Sequence, residues 1–242
     1  MSIDLKIKAL PSDKDKIKQP HLCEQGVLPP LGASMIFCGA TGSGKTNLCG
    51  TLLTDDRFFK DCFHAVYLFS PTAKFDAMQG NFGIPKQRIV DNPEKDGQRA
   101  LKMIMDSQAE FIQKRGADKS PQICIIFDDI IGCRKFLRTE EFAKAFIGSR
   151  HYCITSMILS QAWTQVPRTC RLQATAIFYW RGSQSEMELL AQEYAPPGFS
   201  KKKFLAMVSW ATSEPYQFLV INKNQPMADR FRKGLEEIID VQ

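Results

Sequence analysis

Six short runs along the chain are apolar on both sides of an extended strand: Ser34–Cys38, Ala65–Ser70, Ile123–Phe127, Ile154–Ser160, Ala174–Trp180 and Gln217–Asn222. They are rich in Ile, Val, Phe and Tyr, and strands apolar on both faces belong in a sheet covered on both sides. Between them, apolar positions recur at helical spacing. Asn92-Pro93-Glu94 supplies a cap and a proline at the first helical position, and Gly116 closes the long helix that follows. Thr139 opens a helix with Phe142, Ala143, Phe146 and Ile147 on one face, ended by Gly148. Ser183-x-x-Glu186 is a capping-box pattern ahead of Met187, Leu190, Ala191 and Tyr194. A last helix is expected to carry Phe231, Leu235 and Ile238. Alternating strands and helices predict an α/β domain on a mostly parallel sheet. Residues 1–30 are polar and broken by Pro11, Pro20, Pro29 and Pro30, and read as an arm leading into a domain over 31–242 that ends in a strand and helix extension.

Composition narrows the class without choosing a partner. Of 242 residues, 44% are hydrophobic and 24% charged, which supports a packed core and excludes disordered and fibrous classes. The 32 Lys and Arg against 26 Asp and Glu leave +6, a mild excess that permits a nucleic-acid partner and does not demonstrate one. The eight cysteines contain no C-x2-4-C pair, so a zinc site or a disulfide scaffold is not indicated. Cys38, Cys124 and Cys153 lie in apolar runs and are expected to be buried thiols. The first six residues lack the apolar stretch of a signal peptide, and no apolar run approaches 18 residues, so an intracellular protein without a membrane span is expected.

The chemistry begins at Gly39-Ala40-Thr41-Gly42-Ser43-Gly44-Lys45-Thr46, a complete G-x-x-x-x-G-K-[ST] loop directly after an apolar strand. Its glycines let backbone N–H groups wrap a phosphate, and the helix that follows brings its positive end to the same anion. Gly39 to Thr46, with Asn47, are therefore expected to bind nucleotide. Lys45 would bridge the β- and γ-phosphates, and the Thr46 hydroxyl would ligate Mg2+. Such a loop needs a partner strand ending in an acid, and Ile123–Phe127 runs into Asp128-Asp129 about 80 residues later. Asp128 suits the metal and Asp129 the polarisation of an attacking water. Asp129-Ile130-Ile131-Gly132 formally matches the D-x-x-G of GTPases. Asn222-Lys223-Asn224-Gln225, however, lacks the carboxylate that would read guanine, which favours ATP. Gln161, at the end of the strand Ile154–Ser160, can donate and accept, as a sensor of the γ-phosphate must.

The loop, the Asp-Asp pair, Arg150-His151 before a strand, Ser160-Gln161 at its end and Val166-Pro167-x-x-x-Arg171 together resemble the FtsK–HerA superfamily. More narrowly, residues 31–182 resemble the poxvirus-type genome-packaging ATPases of double-stranded DNA viruses. The resemblance implies a RecA-like P-loop NTPase of the additional-strand type and an ATPase that translocates double-stranded DNA into a preformed capsid. It implies a homo-oligomeric ring, pentameric or hexameric, with a capsid portal or vertex as partner. The host cytoplasm, a viral factory or the virion would be its place. Carried over, Lys45 and Thr46 are Walker A, Asp128 and Asp129 Walker B, Gln161 the polar sensor and Arg150 an arginine finger. Arg168 and Arg171 are its competitors. The wider superfamily often has Glu where this chain has Asp129.

Candidate DNA-phosphate contacts are Lys201-Lys202-Lys203, Arg134-Lys135 with Arg138, and Lys86 with Arg88, with Phe136 as a candidate pore-loop residue. Two other classes fit the loop and the acids alone. One is a monomeric phosphotransferase or GTPase-like switch that ignores DNA, and the other is a structural subunit that binds ATP without turnover.

Overall fold

The structure is a computed structural model and describes residues 19–73 and 82–241. Its strands are β1 (Ser34–Cys38), β2 (Ala65–Phe69), β3 (Ile89–Val90), β4 (Ile123–Asp128), β5 (Ile154–Ser160), β6 (Ala176–Tyr179), β7 (Leu219–Asn222), β8 (Phe231–Lys233) and β9 (Glu237–Ile238). They form one sheet in the order β3-β2-β4-β5-β1-β6-β7-β8-β9. The first six of that order pair in parallel, and the last three are antiparallel additions at one edge. The expected α/β class with a central, mostly parallel sheet is therefore what the chain adopts. β5 lies between β4 and β1, which makes it the additional central strand.

Every residue of β1 and β5 is buried, as their continuous apolar patterns require. Alternate residues of β1 feed two different cores. Ile36 and Cys38 face one layer with Leu101, Phe142, Leu190 and Phe204, whereas Met35 and Phe37 face the other with Cys49 and Leu52. Helices α2 (Lys45–Thr54), α3 (Pro93–Arg115), α4 (Glu140–Ile147), α6 (Gln184–Tyr194) and α7 (Lys201–Ala211) supply those layers, with α1 (His21–Glu24) and α5 (Arg168–Gln173) as short additions. Each fully buried Leu or Phe contributes about 1.5–3 kcal/mol relative to exposure.

The caps read from the sequence are formed. Asn92 accepts the Lys95 N–H at 3.2 Å, Gly116 ends α3 at φ 81°, and Ser183 and Glu186 complete both halves of the capping box. Cys38, Cys124 and Cys153 are buried, and no disulfide forms among the described residues.

Three expectations are corrected, and one further helix is found. Phe231, Leu235 and Ile238 do not share a helix, because Gly234 takes φ 61° and turns the chain into the β8–β9 hairpin. The ladder to β7 holds Phe231 in the core, and Ile238 remains 46% exposed. On α4 the buried stripe is Phe142, Ala145 and Phe146, while Ile147 points outward. Of the arm expected over 1–30, residues 1–18 lie outside the described residues, and 19–30 pack on the domain. Leu28 is fully buried and Asn222 Nδ2 donates to the Gly26 carbonyl at 3.1 Å, so the folded unit starts before residue 31. Finally, Lys201–Lys203 is the first turn of α7, a helix the pattern did not reveal, capped by Ser200.

Candidate nucleotide-binding site

Hydrogen bonds from both neighbouring strands fix the end of β1. The Gly39 N–H donates to the Ser160 carbonyl at 3.1 Å, and the Trp180 N–H donates to the Cys38 carbonyl at 2.8 Å. The loop then turns through Gly42 at φ 77° and Gly44 at φ 101°, left-handed values that cost other residues roughly 1–2 kcal/mol. Gly39 is required for a different reason: a Cβ there would lie 2.6 Å from Trp180 Cβ. Gly44 also precedes α2, so among the described residues no N-cap side chain satisfies the first N–H groups of that helix.

Lys45 folds back over its own loop. Its Nζ donates to the Gly39 carbonyl at 2.6 Å and the Ala40 carbonyl at 2.9 Å. Burial lowers its pKa below the ordinary lysine value by penalising the ammonium, against the opposing pull of Cys38, Asp128 and Asp129. Beside it the Ser43 hydroxyl is buried with no hydrogen-bond partner among the described residues. An orphan hydroxyl, a desolvated ammonium and an uncapped helix start fit the oxygens of a polyphosphate.

The parallel order brings three strand ends to this edge. Asp128 closes β4 opposite Leu159 of β5, Asp129 follows in a left-handed turn (φ 49°, ψ 33°), and Gln161 follows β5. Asp tolerates that backbone region better than most residues. Gln161 Nε2 donates to Asp129 Oδ1 at 3.4 Å. Thr41, Gly42, Lys45 and Thr46 face Asp128, Asp129 and Gln161 across a cleft of ≈ 160 Å³. Thr46 and Asp128 are the hydroxyl and carboxylate that would hold Mg2+. No group of three or more His, Cys, Asp or Glu gathers among the described residues, so phosphate oxygens and water would complete the shell.

Thr72 also lines the cleft and was missed by the sequence reading. It sits just past the end of β2, with its hydroxyl 3.0 Å from that of Ser70. Position after a strand's carboxyl end was the only available signal. Ala40 and Asn47 are exposed and outside the cleft lining.

The three arginine candidates separate. Arg150 is exposed in the turn Ser149–Tyr152 that precedes β5, at the edge of the sheet opposite the cleft. Its Cβ lies 3.1 Å from where a Cβ of Gly32, just before β1, would stand. Seven strand residues put it about 20 Å from its own P-loop. Arg171 is buried, paired with Glu193 at 3.2 Å and lying over the Trp163 ring at 5.6 Å, so it is spent inside the domain. Arg168 starts α5 and is exposed.

Among the basic clusters, Lys201 pairs with Glu188 at 2.8 Å, and Arg134, Lys135, Arg138 and Lys86 are exposed. Arg88 is half-buried over the Tyr67 ring at 6.0 Å. Phe136 is not a pore-loop residue. It is 1% exposed, stacked on Phe69 at 5.8 Å and edge-on to Phe142 at 5.4 Å, because the aromatic core draws the ring inward despite the basic residues nearby in sequence.

The sheet order and the cleft define an α/β P-loop NTPase fold with an additional central strand. The chain belongs to the poxvirus A32 protein family, whose model matches residues 30–230. No curated protein matches the sequence. Similar solved structures include B204, the DNA-packaging ATPase from Sulfolobus turreted icosahedral virus, at 13% identity over 80% of this chain and 93% of that one, with a TM-score of 0.54. The genome-packaging NTPase B204 from Sulfolobus turreted icosahedral virus 2, in complex with ATP-gammaS, is 16% identical over 80% and 93%, with a TM-score of 0.51. The cytoplasmic domain of the Thermomonospora curvata type VII secretion ATPase EccC is 15% identical over 81% of this chain and 25% of that one, with a TM-score of 0.52. At these identities the likeness is one of fold.

Proposed function

We propose that the chain is the ATP-driven motor of a homo-oligomeric ring that translocates double-stranded DNA, packaging a viral genome into a preformed capsid. The observation that carries this reading is the cleft, where the Asp129–Gln161 pair faces the P-loop lysine across the end of the additional strand. Lys45 holds the β- and γ-phosphates, and Thr46 and Asp128 would hold Mg2+, whose chemistry there would be charge neutralisation. Asp129 accepts a proton from the attacking water, and Gln161 orients that water while sensing the γ-phosphate.

Arg150 completes the site from a neighbour. It stands at the far edge of the sheet and is free to reach the cleft of an adjacent subunit, so hydrolysis depends on assembly. Membership of the poxvirus A32 family and the packaging role in the name of B204 support DNA as the cargo. The exposed lysines and arginines of a chain with net charge +6 suit contact with the duplex backbone, which needs point charges rather than base readout. A capsid portal or vertex is the expected docking partner, in a viral factory, the host cytoplasm or the virion.

The test is the ATPase rate over a protein-concentration series, with and without duplex DNA. Specific activity should rise with concentration and again with DNA. A flat rate indifferent to DNA overturns the motor and leaves a monomeric phosphotransferase or switch; binding without turnover leaves a structural subunit.

A further inference from the structure

Tyr216 carries two features that the reading above leaves unexplained. Its side chain belongs to a residue 69% exposed, and its backbone sits at φ 65°, a region that residues other than Gly, Asn and Asp rarely take. The conformation is held, not loose: the Trp180 indole N–H donates to the Tyr216 carbonyl at 3.1 Å, and the Gln217 N–H donates to Glu214 at 3.2 Å. A tyrosine kept in a strained turn with its ring in solvent is a candidate for contact with something the chain binds.

The topology decides where that ring stands. β7 runs antiparallel to β6, with Leu219 opposite Tyr179, so the residues leading into β7 lie at the edge where β6 and β1 end. There the ring flanks the P-loop, and a Cβ built on Gly44 would come 3.3 Å from Tyr216 Cδ1. The acids and Gln161 lie on the other side of β1, at the ends of β4 and β5. A triphosphate whose γ end faces those groups must point its α end, and the nucleoside, toward β6 and β7. Tyr216 is an exposed aromatic on that side, and its ring is the one that lies against Gly44 of the loop.

We propose that the Tyr216 ring is the stacking platform for the purine base of the bound nucleotide, which rests on the nucleotide reading of the cleft. Base–aromatic stacking needs only a π-face and tolerates every base, so the contact supplies affinity rather than choice of purine.

The test compares ATP with inorganic tripolyphosphate, which keeps the charge and lacks the base, each titrated calorimetrically with Mg2+ into the full chain. Tyr216→Ala should weaken ATP roughly 5- to 100-fold, leave tripolyphosphate unchanged, and be rescued by Tyr216→Phe. If ATP affinity stays within twofold in Tyr216→Ala, the platform is refuted. If both ligands weaken together, the ring only braces the P-loop and the proposal is equally lost. A wild-type chain that binds neither ligand overturns the nucleotide reading itself, which separates that failure from the failure of the stacking contact.

Discussion

Gln161 Nε2 donates to Asp129 Oδ1 at 3.4 Å, joining the residue after β5 to the residue after β4 over the P-loop cleft. The contact is long and exposed, a geometry that a water positioned for attack would tighten. Under the proposed function both residues serve hydrolysis rather than the holding of the phosphates. Gln161→Ala and Asp129→Asn should each lower the ATPase rate about 100-fold or more while ATP affinity changes less than threefold. Single-turnover hydrolysis beside equilibrium binding checks this, and parallel losses in both would instead give these residues a binding role.

Lys45 makes the site sensitive to alkaline pH. Burial sets its folded-state pKa below the ordinary value of 10.5. Between the two values the unfolded chain holds this proton more often than the folded one, so stability of the ligand-free protein rises with pH across that window. Phosphate favours the protonated amine, so under the proposed function ATP affinity should fall across the same window. Lys45→Met should remove both trends and abolish turnover. Thermal unfolding and calorimetric titration from pH 8 upward, wild type against variant, measure the difference free of the other lysines. A pH profile identical in the two proteins would place the titrating group elsewhere.

Much of this was legible in the sequence because the decisive strands are buried on both faces. β1, β4 and β5 announce themselves as continuous apolar runs, and Asp128 and Gln161 follow from where two of them end. β3 was not legible: two residues paired to β2 leave no pattern to read. The β8–β9 hairpin was hidden because Phe231, Leu235 and Ile238 happen to recur at helical spacing, and only Gly234 and the pairing with β7 decide otherwise. Thr72 and Tyr216 belong to no motif, and reach the loop through topology alone. Nor does sequence distinguish Arg171 from Arg150, since the partner that occupies it, Glu193, lies on another helix.

That pairing predicts a structural phenotype. The Arg171 and Glu193 side chains are 8% and 7% exposed, and Glu193 also accepts the Trp163 indole N–H at 3.0 Å. Glu193→Ala leaves a buried guanidinium without its counter-charge, which costs about 3–5 kcal/mol. Urea unfolding should show this loss, and adding Arg171→Met should recover part of it by removing the stranded charge. An Arg171→Ala protein of unchanged stability but abolished turnover would contradict the internal role and restore Arg171 as a finger.

Arg150 predicts the opposite behaviour. It is exposed at the far edge of the sheet, about 20 Å from its own P-loop, so Arg150→Ala should fold with stability unchanged to within about 0.5 kcal/mol. Its ATPase rate should nevertheless drop by roughly 10³- to 10⁵-fold, the measured worth of an arginine finger. Complementation then distinguishes action in trans from a local effect. Arg150→Ala subunits keep an intact P-loop, and Lys45→Ala subunits keep an intact arginine. Where the two meet in one ring, the first supplies the nucleotide site and the second its finger. Mixtures should therefore hydrolyse ATP above the sum of the separate variants, with a maximum near equal proportions. Additive activity would confine Arg150 to its own subunit, whereas an Arg150→Ala protein close to wild type in rate would pass the role to the exposed Arg168.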